Sequence, residues 1–163
     1  MGDHAPFFFC MTLRLRNAGV DDVQAIRWIA DRGYQRYAAV LGKKPAPMVA
    51  DFKKHVQEDW VIVVEQGSVL VGYAVLLLRG SSALLDNIAV DIGVQRQGVG
   101  KALIDHIEQH LLRLGHDRYE LYTNAAMTEN ISWYARLGFV ETRRVEEHGF
   151  KRVYMQKQLS SPE

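Results

Sequence analysis

The residues best placed to do chemistry lie in one stretch, Ile88-Ala89-Val90-Asp91-Ile92-Gly93-Val94-Gln95-Arg96-Gln97-Gly98-Val99-Gly100-Lys101. An apolar run ends, a short loop rich in hydrogen-bond donors follows, and two glycines open an amphipathic segment. Glycine puts no Cβ between the backbone and a ligand, so successive N–H groups can converge on an anion. A helix start adds unpaired donors and a favourable partial charge. The pattern suits a pyrophosphate, with Gln95, Arg96, Gln97, Gly98, Val99, Gly100 and Lys101 as its cradle.

Two common phosphate loops fail at a required position. A Walker loop needs a lysine directly after its second glycine; Gly93 and Gly98 have the right spacing, but Val99 follows. A dinucleotide fingerprint needs a third glycine where this chain has Leu103. Metal chemistry has little support. His106 and His110 are a helical turn apart, but without a third ligand they do not make a zinc-protease pair. His110 falls on an apolar stripe, where a hydrogen-bonded, partly buried histidine is expected. The single cysteine, Cys10, excludes an intrachain disulfide and reads as bland.

The elements that must hold this loop follow from periodicity. Thr12 to Arg16 alternates like a strand, and Asp21 opens a helical stripe through Val23, Ile26, Ile29 and Ala30. Residues 42–47 read as a loop, and a second, shorter helix is expected over Met48 to Glu58. Trp60–Val64 and Val69–Leu78 form a hairpin, and Ala83–Ile92 is a third apolar strand broken by Asp86 and Asn87. Gly98–Leu114 is a helix with Val99, Leu103, Ile107, Leu111 and Leu114 on its apolar face. Tyr119–Thr123 is a strand, Thr128–Leu137 a helix stopped by Gly138, and two strands turn near His148-Gly149. Residues 12–160 therefore read as a single α/β domain, and 1–11 as an N-terminal extension or tag-like segment.

Gln95, Gly98 and Gly100 fit a Gln-x-x-Gly-x-Gly loop, and Tyr134-Ala135-Arg136-Leu137-Gly138-Phe139 fits Tyr-x-x-Leu-Gly-Phe. With these two blocks in register and the element order from Thr12 onward, the chain resembles the GNAT superfamily of N-acetyltransferases. The resemblance implies a three-layer fold: a mixed, mostly antiparallel sheet of about seven strands, flanked by about four helices, with the fourth and fifth strands splayed. It implies acetyl-CoA as co-substrate, no metal, and direct transfer of acetyl to a primary amine in a ternary complex. The pantetheine arm would pair with backbone at Ile88 to Val90, and an N–H of Ile88, Ala89 or Val90 would hold the developing oxyanion. Tyr134 would protonate the leaving thiolate. The family often carries an asparagine where this chain has Met127, so Asn130 or Asn124 is left to contact the cofactor arm.

The base stays open at this point. Asp86 is one candidate; Glu120, Tyr122 and a chain of waters are the others. Strand alternation sends Asp86 and Asn87 to opposite faces, so only one of them can face the amine. Tyr34 and Tyr37 are the candidates for acceptor contact, and residues 42–47 for a cover over it. A non-catalytic sensor of acetyl-CoA on the same fold is the alternative function. The formal charge of +1 gives no field favouring nucleic acid or an acidic membrane. The longest apolar runs fall short of the roughly 20 residues a span needs. A small-molecule or peptide amine is the expected partner, the location expected is cytoplasmic, and exposed sheet edges allow a homodimer.

Overall fold

The structure is a computed structural model that describes residues 12–95 and 97–160. The expected extension at residues 1–11, Cys10 and Arg96 lie outside the described residues. Seven strands form one sheet in the order β1-β2-β3-β4-β5-β7-β6: β1 (Leu13–Asn17), β2 (Trp60–Gln66), β3 (Val69–Arg79), β4 (Ser82–Val90), β5 (Arg118–Asn124), β6 (Val140–Glu147) and β7 (Phe150–Gln158). Every neighbouring pair is antiparallel except β4 and β5, which run parallel. The helices are α1 (Val23–Leu41), α2 (Ala46–Val49), α3 (Phe52–Glu58), α4 (Val99–Arg113) and α5 (Thr128–Arg136).

The sheet separates two apolar clusters and so creates three layers. On one face Val99, Leu103, Ile104, Ile107 and Leu111 of α4, with Tyr134 of α5, pack on Ile62, Val64, Ala74, Leu85 and Leu121. On the other, Ile26, Ile29 and Ala30 of α1 and Phe52 of α3 pack on Val61, Val63, Tyr73 and Val75. Val99, Leu103, Ile107 and Leu111 belong to the stripe read from the 3.6-residue period, and Ile104 joins them. Leu114 is the exception. It is 52% exposed, because it caps the helix just before Gly115 turns the chain at φ +88.

The helix expected over Met48–Glu58 is broken in two. Ala50 is extended (ψ 145), and Asp51 starts a new helix by accepting from the Lys54 amide at 3.1 Å. Among the described residues five α-helices thus stand where about four were expected, α2 being a single turn that begins within the predicted loop and ends within the predicted helix. β4 ends at Val90, before the predicted Ile92: Asp91 Oδ1 accepts from the Gly93 amide at 2.8 Å and folds the chain into a turn.

Close packing around β3 can be tested at Gly72. A Cβ there would lie 2.9 Å from Val64 Cγ1, 3.2 Å from the Ala89 carbonyl and 3.3 Å from Leu103 Cδ1. Gly72→Ala is expected to destabilise the fold by about 1–3 kcal/mol through overpacking. Urea unfolding should show a lower midpoint at unchanged slope.

Candidate active site

β4 and β5 are paired at Leu84–Glu120 and Leu85–Leu121 and at no later position. The cause lies one residue further on. Across β3, Leu76 pairs with Leu85 but Val75 pairs with Asn87, so Asp86 is an extra residue, a β-bulge. The bulge shifts the phase of β4. Leu85 and Ile88, three apart, both join the cluster under α4. Asp86 and Asn87 both project to the opposite face, where Asn87 Oδ1 accepts from the Tyr73 hydroxyl at 2.8 Å and Asp86 Oδ1 accepts from Tyr122 at 2.7 Å. The expectation that these two side chains point to opposite faces is corrected: simple alternation holds only in an unbulged strand.

The bulge also decides which backbone groups face the fork between β4 and β5. The Asp91 amide donates to the Val71 carbonyl at 2.8 Å, which marks a hydrogen-bonded pair. Antiparallel alternation then turns Ala89 toward β3 and turns Ile88 and Val90 into the fork. Their carbonyls bear this out: Ile88 accepts from the Tyr34 hydroxyl at 3.0 Å and Val90 from Gln95 Nε2 at 3.3 Å.

Two cavities flank the fork. The first, about 1090 Å³ including its mouth, is lined by Gln95, Gly98, Val99, Gly100 and Lys101 at the start of α4, by Ile88, Ala89 and Val90, and by Tyr37, Asn130 and Trp133. The second, about 540 Å³ including its mouth, is lined by Asp86, Asn87, Tyr122, Asn124, Met127, Phe150, Arg152 and residues 45–47. Tyr34, Ile88 and Tyr134 line both. A group held at that junction can be reached from either side.

At the first cavity, α4 begins with no side-chain cap on its donors. Gly98 is left-handed (φ +82), and a Cβ on it would meet nothing within 4 Å, so the space above it is open to a ligand. Gly100 serves differently. A Cβ there would touch Trp133 at 3.0 Å, so its glycine seats α5 against α4. A cradle of amides on a helix start, beside an elongated cleft, fits the diphosphate and arm of a coenzyme A ester. Gln97 is exposed and lies outside the lining. Asn130 borders this cavity and donates to Met127 Sδ at 3.6 Å, whereas Asn124 borders the other. Tyr37 borders only the first cavity.

At the junction, Tyr134 is 6% exposed, and among the described residues no protein group bonds its hydroxyl. Burial, with Tyr34 adding to it, holds its phenol far above the ordinary tyrosine range. It therefore stays protonated at neutral pH. Burial and then the Asp86 charge raise Tyr122 likewise. Glu120 borders neither cavity and pairs with Arg143 at 3.3 Å.

The second cavity contains two residues that sequence reasoning did not single out, Arg152 and Phe150, beside Pro45 and Pro47 of the loop expected as a cover. Arg152 lies over the Tyr122 ring at 4.4 Å, and Phe150, Pro45 and Pro47 close the wall. Lys43 Nζ donates to the Gly149 carbonyl and sits 4.0 Å over the Phe150 ring, tying the loop after α1 to the β6–β7 turn. No local pattern marks Arg152 and Phe150, since they reach Asp86 only through the sheet order. The two histidines of α4 stack on Trp60, His110 at 4.1 Å and His106 at 6.0 Å, and burial followed by Arg113 lowers both imidazoles. Stacking thus takes the place of the hydrogen bond expected at His110. Among the described residues no cluster of three metal-ligating side chains occurs, and no helix is long and apolar enough to cross a membrane.

Residues 57–141 match the family model described as Acetyltransferase (GNAT) domain. Over 76 residues the chain is 36% identical to ribosomal protein bS18-alanine N-acetyltransferase of Escherichia coli K12. That match covers 47% of this chain and 51% of the relative, so it spans about half the length of the curated proteins it matches. The crystal structure of the ribosomal-protein-S18-alanine N-acetyltransferase from Escherichia coli superposes with a TM-score of 0.76 at 22% identity, covering 93% of this chain and 97% of that one. PaiA N-acetyltransferase from Thermoplasma acidophilum, in complex with coenzyme A, gives 0.76 at 16% identity over 91% and 99%. The yncA protein of Salmonella typhimurium with its cofactor acetyl-CoA gives 0.68 at 19% over 93% and 96%. At these identities the structural likeness is one of fold.

Proposed function

Because the chain belongs to the GNAT acetyltransferase family, we propose that it is an N-acetyltransferase transferring the acetyl group of acetyl-CoA to a primary amine. The observation that carries this reading is the junction. One cavity with an amide cradle and another with a carboxylate meet at Tyr34, Ile88 and Tyr134. Acetyl-CoA, when bound, supplies the activated acyl group; the chain supplies position, charge stabilisation and proton movement.

An amine of the lysine type has a pKa of about 10.4, so it must shed a proton before attack. In this reading Asp86 accepts that proton in the acceptor cavity, directly or through water, while Tyr122 orients the carboxylate. The Ile88 and Val90 amides face the fork and hold negative charge on the carbonyl oxygen. Tyr134 then donates its proton to the departing sulfur. The nitrogen gains the acetyl carbon as the C–S bond breaks; its second proton restores the Tyr134 hydroxyl, and the proton on Asp86 passes to solvent. Gln95, Gly98, Val99, Gly100, Lys101 and Asn130 hold the co-substrate, with Arg96 a further proposed contact, and Tyr34 lines the acceptor's path. A cytoplasmic location agrees with the need for a metabolic acyl donor.

Release of free thiol with a panel of amines tests the reading. Stabilisation by coenzyme A without turnover of any amine would instead make the chain a sensor. Asp86→Asn is expected to lower kcat/KM by about 10²–10³-fold with coenzyme A affinity retained. An unchanged kcat/KM would move the base to water.

A further inference from the structure

The acceptor cavity carries charges of both signs, arranged about one phenol ring. Tyr122 donates its hydroxyl to Asp86 at 2.7 Å, and its ring face carries the Arg152 guanidinium at 4.4 Å. Arg152 is unusual for a surface-strand arginine, its side chain being only 12% exposed. Glu147 takes one of its donors through Nη1 at 3.0 Å. A guanidinium has five N–H donors in a planar fork suited to a carboxylate, and this one forms part of the cavity wall. Glu147 answers the charge through that one nitrogen, and the other donors of the fork are those a carboxylate entering the cavity would take.

The rest of the wall limits what can enter. Pro45, Pro47, Met127 and Phe150 are apolar. The Lys43 bond to the Gly149 carbonyl ties the loop after α1 to the β6–β7 turn, beside the Phe150 that lines the cavity.

Building on the acetyltransferase reading, we propose that the acceptor is a small amphoteric amine, an amino acid with an apolar side chain, its ammonium group facing Asp86 and its carboxylate held by Arg152. The carboxylate takes guanidinium donors other than the one given to Glu147, and the proline-walled pocket takes the side chain. Recognition of the acid and supply of the amine to the junction then fall to two side chains on either side of Tyr122.

Binding decides this separately from turnover. Calorimetry on the coenzyme A-loaded protein would compare L-phenylalanine, L-leucine and L-methionine, each against the matching amine without its carboxylate. For at least one pair the amino acid is expected to bind about 10- to 100-fold more tightly, as a charge-assisted hydrogen-bond pair provides. Arg152→Met should abolish that preference and Arg152→Lys restore part of it, both keeping wild-type coenzyme A affinity in the other cavity. Should the Met variant fail to fold, the wild-type preference alone decides. Equal affinities within every pair, no binding of any probe, or tighter binding of a hexapeptide beginning with alanine would overturn the proposal. Tight, carboxylate-dependent binding without thiol release would leave it standing and sink the transferase reading instead.

Discussion

Tyr134→Phe should lower kcat by about 10²–10³-fold, the scale of a lost general acid, while coenzyme A affinity stays within about twofold. The argument starts from packing. α5 ends with Tyr134 buried against Phe139 in an edge-on contact (centroids 5.8 Å apart) and beside Trp133 at 5.1 Å, so the ring is fixed and only its hydroxyl is lost. That hydroxyl has no protein partner among the described residues, and removing it strands no buried group. Burial keeps it protonated across the working pH range, so it can give a proton but does not compete as a base. Single-turnover rates combined with coenzyme A titration would check this. A variant that keeps wild-type kcat removes Tyr134 from the chemistry.

Gly98→Val should weaken coenzyme A binding by about 30-fold or more with little change in the folded core. A β-branched residue at φ +82 is strained by about 1–3 kcal/mol. Relaxing that strain would turn the amides at the start of α4 away from their common focus. If the strain persists, the side chain occupies the open space above the loop. Either route costs the cradle, and about 2 kcal/mol corresponds to roughly 30-fold in affinity. Gly98 is exposed, so the loss should appear in calorimetric titration and not in far-UV dichroism. An unchanged dissociation constant would mean that the loop does not hold the diphosphate.

The parts of the site that are local in sequence could be read from it. The Gln95–Lys101 loop and the Tyr134–Phe139 block each sit at an element boundary, where glycine, periodicity and capping leave a pattern. All seven strands could be seen from β-branched runs and turns. The phase of β4 could not. Asp86 is an extra residue only with respect to β3, and a bulge is a property of two strands. For the same reason, alternation within β4 predicted the wrong relation between Asp86 and Asn87. The break at Ala50 was hidden because Met48–Glu58 is compatible with one helix, and Asp51 could be read either as a helical residue or as a cap. Arg152 and Phe150 come to Asp86 only because β7 inserts between β5 and β6, a choice of sheet order that local pattern does not encode.

That single surplus residue in β4 makes chain length, as well as side-chain type, part of the catalytic apparatus. Upstream of it the strand is ordinary sheet; downstream its peptide groups are released from the neighbouring strand and left for a visitor. Side chains at position 86 can be exchanged to suit another acceptor while the hydrophobic interior keeps its arrangement. Excising the position would leave Leu85, Asn87 and Ile88 alternating as in an ordinary strand, with Ile88 still beneath α4, and would remove both the carboxylate and the irregularity at which β4 parts from β5. Substrate range is thus free to drift at this point, whereas the residue count is not.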